Sequence, residues 1–368
     1  MYNILRISPS FASHTNPGSG SNAYFHSKFS KFRSYVLTEE KNLNYLDVGT
    51  NTSIKTVKTI KSDLGEIGDI KFIFKLLNKF ISTFLFTVKS IKHVNSIKPD
   101  IVHIYSPIYM FTALFCKYIY GSKIVMSIHG TDGLRVQNFK AFKVIFYLSD
   151  VNLSLSNKFI TDIKRKDVYF LGNGYDNSVF NLNSNNINNR RKYIISVGNL
   201  RWQKNHLQMI KSFSLFLKYN KGYKLIIVGE GDLRSKLEKE IENLKINKSV
   251  FLMGKKSQKY ISRLMNIGEL FYLTSLTEGS PKVIFEAMAC GLPIVSTDTG
   301  DIKNNTSHKS CLIVENDIQS MARGLKKMVG NKSFNRVNIS EKIKEKSWGA
   351  VSKKLDSIYE KNDREYFG

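Results

Sequence analysis

Short apolar runs alternate with segments of helical periodicity along nearly the whole chain. In the first half, runs at 2–8, 34–37, 45–48, 101–105, 123–128, 151–154 and 168–171 predict strands. Between them, 22–32, 70–96, 108–119, 139–148 and 158–164 carry helical spacing. Continuous apolar strands separated by helices point to a parallel sheet covered on both faces. Residues 181–191, NLNSNNINNRR, are polar, Asn-rich and without periodicity, and read as a linker. The pattern then restarts. Strands are predicted at 193–197, 224–228, 250–253, 270–274, 294–296 and 311–314, and helices at 206–219, 233–245, 259–266, 282–289 and 318–327. The tail 347–362 places Trp348, Val351, Leu355 and Tyr359 at helical spacing. The predicted class is α/β, with two Rossmann-like, doubly wound domains facing a cleft: 1–180, and 192–346 after the linker.

Composition narrows the class. Of 368 residues, 42% are hydrophobic and 23% charged, which excludes a disordered or fibrous chain. The three cysteines, Cys116, Cys290 and Cys311, share no metal-ligand or CxxC spacing, and each sits in an apolar segment. A reducing compartment follows, and no metal site is expected. Charge is the one extreme: 56 Lys and Arg against 30 Asp and Glu give a net charge of +26. The excess is spread over both halves, so no basic tail explains it. An anionic partner and a merely lysine-rich solvated surface both account for it. No signal-peptide pattern opens the chain, and no run supplies the ~20 apolar residues of a membrane helix, so a soluble or peripheral cytoplasmic protein is expected.

The densest chemical signal is residues 274–299, TSLTEGSPKVIFEAMACGLPIVSTDT. A strand ends, a loop of small residues follows (Glu278, Gly279, Ser280, Pro281), and a helix begins with Glu286 two turns in. Free N–H groups at a helix start bind phosphate, and Gly279 permits close backbone approach. Carboxylates on either side, Glu278 and Glu286, suit hydroxyl recognition. The same residues also read as a capped helix with two surface acids. The context favours a site. VGNLRWQKN (197–205) places Asn199, Arg201 and Lys204 after a strand, KLIIVGEGDLRSKL (224–237) places Gly229 and Gly231 in a turn, and VFLMGK (250–255) ends another strand at Met253, Gly254 and Lys255. In a doubly wound sheet such strand ends face the ligand.

These segments resemble the retaining, metal-independent glycosyltransferases of family 4, the group 1 family with the GT-B fold. PDIVHIYSP, IVMSIHGTD, SDVNLSLSN and FLGNGYDNSVF extend the match into the first half, and SWGAVSKKLDSIY resembles the closing helix, which in the family crosses back to the first domain. The resemblance implies a nucleotide-diphosphate sugar as co-substrate, with no other cofactor, and a glycan or lipid-linked acceptor, in bacterial surface polysaccharide synthesis. It implies catalytic roles for His129, Lys204 and Glu278. For the donor it implies Gly20, Asn199, Arg201, Lys204, Gly229, Met253, Gly254, Lys255, Glu278, Gly279, Ser280, Pro281 and Glu286. Lys204 would neutralise the diphosphate, the Gly279–Pro281 backbone would hold the distal phosphate, Glu286 would accept from ribose hydroxyls, and Met253 to Lys255 would flank the base. The chain departs from the family pattern at Asn199, where an Arg is usual and Arg201 is a candidate substitute. It departs again at Gly20, in Gly18-Ser19-Gly20 rather than a Gly-Gly pair, and at Asp301, where a glycine is usual. His103, inside an apolar strand, reads as structural.

One further pattern stands apart. Residues 70–99 hold six lysines and no acid, with Lys71, Lys75 and Lys79 on one face and Ile73, Leu76, Phe80, Phe84 and Ile91 on another. Segment 70–98 reads as a helix resting on an anionic membrane surface, and equally as a Rossmann helix with a lysine-rich solvent face. A nucleic-acid partner is excluded, since no helix-turn-helix or basic–aromatic stripe is present. A nucleotide-sugar epimerase-like GT-B enzyme and an inactive GT-B scaffold are the alternatives, and a scaffold would need none of Lys204, Glu278 and Glu286.

Overall fold

The computed structural model describes residues 2–11, 21–39, 47–48, 50–57, 71–128, 144, 146–155, 168–186, 190–331 and 333–367, without the side chains of 71–80 and 362–367. The chain divides into two compact units, 1–172 with 348–368, and 173–347.

The first unit is built on a seven-stranded sheet of order β3-β2-β1-β4-β5-β6-β7. Its strands are β1 (Asn3–Ser8), β2 (Arg33–Glu39), β3 (Thr52–Val57), β4 (Ile101–Ile104), β5 (Lys123–Ile128), β6 (Val151–Ser154) and β7 (Val168–Phe170). All described pairings are parallel. The central strands β4 and β6 are buried at every position, as a sheet covered on both faces requires. One apolar layer joins Leu5, Ile7, Val102 and Met126 to Phe86, Val94, Ala113 and Cys116 of helices α2 (Lys71–Ile97) and α3 (Met110–Tyr120). The other joins Ile4, Val36, Val125 and Leu153 to α1 (Ser21–Phe29) and the closing helix Trp348–Phe367. Trp348 stacks on Phe25 with ring centroids 5.1 Å apart. Burying such aromatics contributes ~1.5–3 kcal/mol each, so the chain's last helix belongs to its first sheet.

The second unit carries a six-stranded sheet of order β10-β9-β8-β11-β12-β13. Its strands are β8 (Tyr193–Val197), β9 (Lys224–Val228), β10 (Val250–Leu252), β11 (Leu270–Leu273), β12 (Ile294–Thr297) and β13 (Cys311–Val314), all paired in parallel. Helices His206–Leu217 and Ile318–Met328 pack on one face, and Gln258–Ile267 and Lys282–Ala289 on the other. Strand order reverses between β8 and β11. The carboxyl ends of these two strands therefore flank a crevice, the place where open α/β sheets bind ligands.

Three details differ from the sequence reading. The third strand lies at Thr52–Val57, and residues 47–48 carry no strand. An edge strand buries little, so TSIKTV shows no apolar run to find. Residues 173–183 pack on the second unit before the linker begins: Tyr175 and Phe180 join its core, and Asn266 Nδ2 donates to Asn181 O at 2.9 Å. A seven-residue helix, Arg336–Lys342, was not anticipated. Its Arg336 is buried and donates to the carbonyls of Met265, Asn266 and Cys290, closing the ends of two helices. The helices expected at 139–148 and 158–164 fall largely or wholly outside the described residues.

Candidate active site

The site is assembled at the switch point of the six-stranded sheet. After β8 the chain turns through Gly198, makes a 3-10 turn at Trp202–Lys204, and passes Asn205 in a left-handed conformation (φ 54°) into helix His206–Leu217. After β11 it runs through Thr274 and Ser275 to the Glu278 loop and helix Lys282–Ala289. Hydrogen bonds stitch the two loops together. Thr274 Oγ1 donates to Lys204 O (3.1 Å), and Leu276 N donates to Gln203 O (2.8 Å). Across them Lys204 Nζ pairs with Glu278 Oε1, which also accepts from Ser275 Oγ at 2.8 Å. The lysine stem lies over Gly198, so the ammonium is aimed along the sheet edge.

The Glu278 loop is held by backbone. Asp301 N donates to Gly279 O at 2.9 Å, and a Cβ on Gly300 (φ +56°) would lie 2.2 Å from that oxygen, so only glycine fits there. Asp301, where the resemblance implied glycine, is thus buried and engaged through its own N–H. Asn173, from the turn that opens this unit, donates to Ser280 O at 2.7 Å. The Ser280 hydroxyl is buried with no hydrogen-bond partner among the described residues. It lies beside Pro281, the N-cap of helix Lys282–Ala289, which makes no side-chain cap to the helix N–H groups. A shielded hydroxyl beside open helix N–H groups is a setting that suits an anionic group.

One turn in, Glu286 is part-buried, with Lys282, the first residue of the helix, one turn before it. Burial is the main cause that pushes the Glu286 carboxyl up to about 7. Lys282 opposes the shift and Asp176 adds to it. Burial likewise pulls Lys282 down, against the attraction of Glu286. An acceptor that is half-protonated near neutrality is tuned by whatever hydroxyl or cation meets it.

The neighbouring edge of the site is a layer of backbone. A Cβ on Gly229 (φ +152°) would lie 1.9 Å from Gly198 O, and Gly229 N donates to Gly254 O at 3.0 Å. The ends of β8, β9 and β10 are therefore packed main chain to main chain. Arg234, not singled out in the sequence, ties this layer down: Nη1 to Glu230 (2.8 Å), Nε to Glu238 (2.9 Å) and Nη2 to Leu252 O (3.2 Å). Its signal was present in GEGDLRSKLE, as two acids one helical turn to either side of an arginine. His206 was also missed. It is buried, with Nδ1 unpartnered among the described residues, and burial together with Lys204 pulls it down to about 4.

The structure brings Lys204, Glu278, Gly279, Ser280 and Pro281 together at one strand end, with Glu286 on the adjoining helix. Gly229, Met253 and Gly254 gather at the neighbouring edge. Asn199, Arg201 and Lys255 are exposed; Lys204 N donates to Arg201 O at 3.0 Å, and no side-chain bond among the described residues links Asn199 or Arg201 to the Lys204–Glu278 pair. His129 and Gly20 lie outside the described residues. His103 is structural as read: it is fully buried, with Tyr359 Oη at 2.7 Å from Nδ1 and Ser127 Oγ at 2.8 Å from Nε2.

A doubly wound sheet with a cation, a carboxylate and a helix start at its switch point has the layout in which α/β proteins bind ligands. Residues 179–362 match the family Glycosyl transferases group 1, and the chain belongs to that family; it is a glycosyltransferase. It is 26% identical over 294 residues to an uncharacterized glycosyltransferase of Methanocaldococcus jannaschii, MJ1607, covering 71% of this chain and 75% of that one. It is 32% identical over 165 residues to a Campylobacter jejuni N-acetylgalactosaminyltransferase acting on a diphospho-undecaprenol-linked sugar, covering 42% and 44%. Across such relatives the matched part ranges from a quarter to three quarters of their length. The fold is that of HepE from Anabaena, solved with UDP: TM-score 0.75 at 14% identity, over 98% of this chain and all of that one.

Proposed function

We propose that the chain transfers a sugar from a nucleotide-diphosphate donor to a glycan or lipid-linked acceptor, with retention of configuration and without a metal ion, in bacterial surface polysaccharide synthesis. The observation that carries this reading is the Lys204–Glu278 pair at the switch point, beside the open N-terminus of helix Lys282–Ala289. The acceptor hydroxyl attacks the anomeric carbon as the bond from that carbon to the β-phosphate oxygen breaks. The departing phosphate takes the hydroxyl proton, which leaves a nucleoside diphosphate and a new glycoside. Lys204 and the helix N–H groups stabilise the charge that develops on the phosphate, the role a fixed electrostatic site plays best. Glu278 restrains Lys204 and offers an acceptor to the sugar, and Glu286 offers one to the ribose. His129 is assigned to the transferred sugar by the family resemblance.

The names of relatives support the acceptor class, since the Campylobacter jejuni enzyme is named for a lipid-linked diphosphate and another relative, from Erwinia amylovora, for amylovoran biosynthesis. Three buried free thiols support a reducing, cytoplasmic compartment. The test is a thermal-shift screen of UDP, GDP, ADP and CMP and their sugar conjugates, with and without EDTA. Ligand at 100 times its Kd adds about 2.7 kcal/mol. One nucleotide should stabilise the protein regardless of EDTA and fail to do so in Lys204→Ala. Folded protein that responds to none of them overturns the reading.

A further inference from the structure

Nine of the fifteen large apolar side chains that stand exposed among the described residues fall between 81 and 148, in the one layer that α2 and α3 build over the first sheet. Helices α2 and α3 run parallel at a constant offset: Thr87 bonds Thr112 at 2.9 Å, and Tyr120 bonds Asn95 at 2.6 Å. On α2, Thr83, Phe86, Ser90 and Val94 are buried. Ile81, Phe84 and Val88 fall between those positions and stand out from the fold, Phe84 with 55% of its surface exposed. On α3, Phe111, Tyr118 and Ile119 do the same, Tyr118 with 79% exposed. Phe146 is buried in this layer while Tyr147 beside it is exposed, which adds a third apolar point to the same face.

Charge identifies what covers it. Residues 71–149 carry eleven Lys and Arg and only two acids, Asp100 and Asp132. This fifth of the chain thus holds about a third of its net charge, and neither α2 nor α3 contains an acid. Lys89 and Lys92 are exposed on α2, next to the apolar ridge and one turn beyond it. Protein interfaces deplete lysine, whereas apolar ridges bordered by lysine with an exposed tyrosine are what a helix lying in a lipid interface presents. No described helix is long and apolar enough to cross a membrane.

We infer that the α2–α3 face is a docking surface for an anionic lipid bilayer, with Phe84, Val88 and Tyr118 entering the interface and Lys89 and Lys92 meeting the headgroups. The sequence pattern pointed to α2 alone; the structure adds α3 and joins the two into one surface. Lipid binding here is independent of the donor site, so the two are tested apart.

The experiment is flotation of the full chain, without nucleotide, on vesicles of phosphatidylcholine alone or with a third phosphatidylglycerol. Partition onto the anionic vesicles is expected, together with a loss of roughly tenfold or more in Phe84→Ser/Tyr118→Ser and a steep fall at high salt. UDP-induced thermal shifts in the same variant should be unchanged, which reports its folding where UDP is the nucleotide that binds. As a second measurement, Tyr118→Trp should blue-shift and be quenched by brominated phosphatidylglycerol. No flotation of folded wild type, flotation that ignores the Ser substitutions, or a self-associating dimer abolished by them would each overturn the inference.

Discussion

The ammonium of Lys204 and the carboxylate of Glu278 pair across the switch point of the six-stranded sheet, joining loops 74 residues apart. The pair is part-buried, its side chains 24% and 14% exposed, so the Coulomb gain is largely offset by the desolvation of both charges. Its value to stability is small and its value to the site is large. Lys204→Ala should therefore leave the melting temperature within a few degrees of wild type while transfer falls roughly 10²–10³-fold. Glu278→Gln keeps a group for Ser275 to bond and releases Lys204 from its counter-charge. That variant should bind nucleoside diphosphate several-fold more tightly and still turn over more slowly. Calorimetry and steady-state rates on both variants check the split.

Glu286 makes stability and donor binding oppose each other with pH. Its carboxyl is raised from an ordinary 4.5 to about 7 by burial, despite Lys282. A folded-state pKa above the unfolded one means the folded chain binds the extra proton between those values. Stability is therefore lost as pH rises from ~4.5 through ~7, and the loss is complete above that. Glu286→Gln should be more stable than wild type at pH 8 by on the order of 1–3 kcal/mol, with the difference gone by pH 4–5. Donor affinity of wild type should rise as the carboxylate forms, and that of the Gln variant should stay flat. Denaturant midpoints and nucleotide titrations across pH 4.5–8.5 measure both.

Much of this was legible in the sequence, and the reasons are specific. Strands such as β11, LFYL, are buried on both faces and leave an apolar run that no other element mimics. The Glu278–Pro281 loop was legible because a strand end, a glycine and a proline at the start of a helical pattern occur in succession. What was not legible depends on distant partners. Nothing in VGNLRWQKN shows that Lys204 will meet Glu278, or that Thr274 will clamp the loop between them. His206 is one residue into an ordinary amphipathic helix, and only packing makes it a buried group beside a cation. The edge strand Thr52–Val57 was missed because its solvent-facing positions are polar.

Gly300 offers a test of how tightly the Glu278 loop is held. A methyl group there meets Gly279 O at 2.2 Å and Glu278 O at 2.8 Å, on a backbone at φ +56°. Gly330 has a similar φ of +69° with nothing within 4 Å. Gly330→Ala should cost only the left-handed strain, about 1 kcal/mol. Gly300→Ala should cost more, ~1–3 kcal/mol, and should also depress transfer, because the carbonyls it pushes belong to the residues we propose face the donor. Chemical denaturation of both variants, read beside their rates, separates strain from displacement.

Arg234 is a positioning residue under the same reading. Its guanidinium spends all three nitrogens on Glu230, Glu238 and the carbonyl of Leu252, the last residue of β10. Loss of these bonds frees the Gly229 and Met253–Lys255 turns that flank the base. Arg234→Ala should raise donor KM roughly three- to tenfold, the equivalent of ~1 kcal/mol, with kcat nearly unchanged. Arg234→Lys should restore the Glu230 contact alone and recover part of the loss. A fall confined to kcat would place Arg234 elsewhere in the mechanism.

Arg6 on β1 is fully buried, with no carboxylate in hydrogen-bond contact among the described residues. Its Nη1 donates to Tyr359 Oη at 2.8 Å and more weakly to Tyr105 Oη at 3.4 Å, and Nε donates to Ser34 Oγ at 3.3 Å. Tyr359 belongs to the closing helix, 353 residues further along the chain. Its hydroxyl accepts from Arg6 and can donate to His103 Nδ1 at 2.7 Å. His103 Nε2 lies 2.8 Å from Ser127 Oγ, so the ring links the closing helix to β5. Tyr359→Phe removes one oxygen and leaves two buried groups short of a partner. The cost should reach about 1–3 kcal/mol, more than a typical neutral hydrogen bond, because one of the stranded groups is a buried charge. Arg6→Met in the same background should recover part of that loss, since the tyrosine oxygen is then no longer needed to solvate a cation. A double-mutant cycle on Arg6 and Tyr359, followed by urea denaturation, reads the coupling directly. Strict additivity would mean that the Arg6–Tyr359 bond adds nothing to what Trp348, its apolar neighbours and the Asp356 bonds to Ser30 and Lys31 already hold.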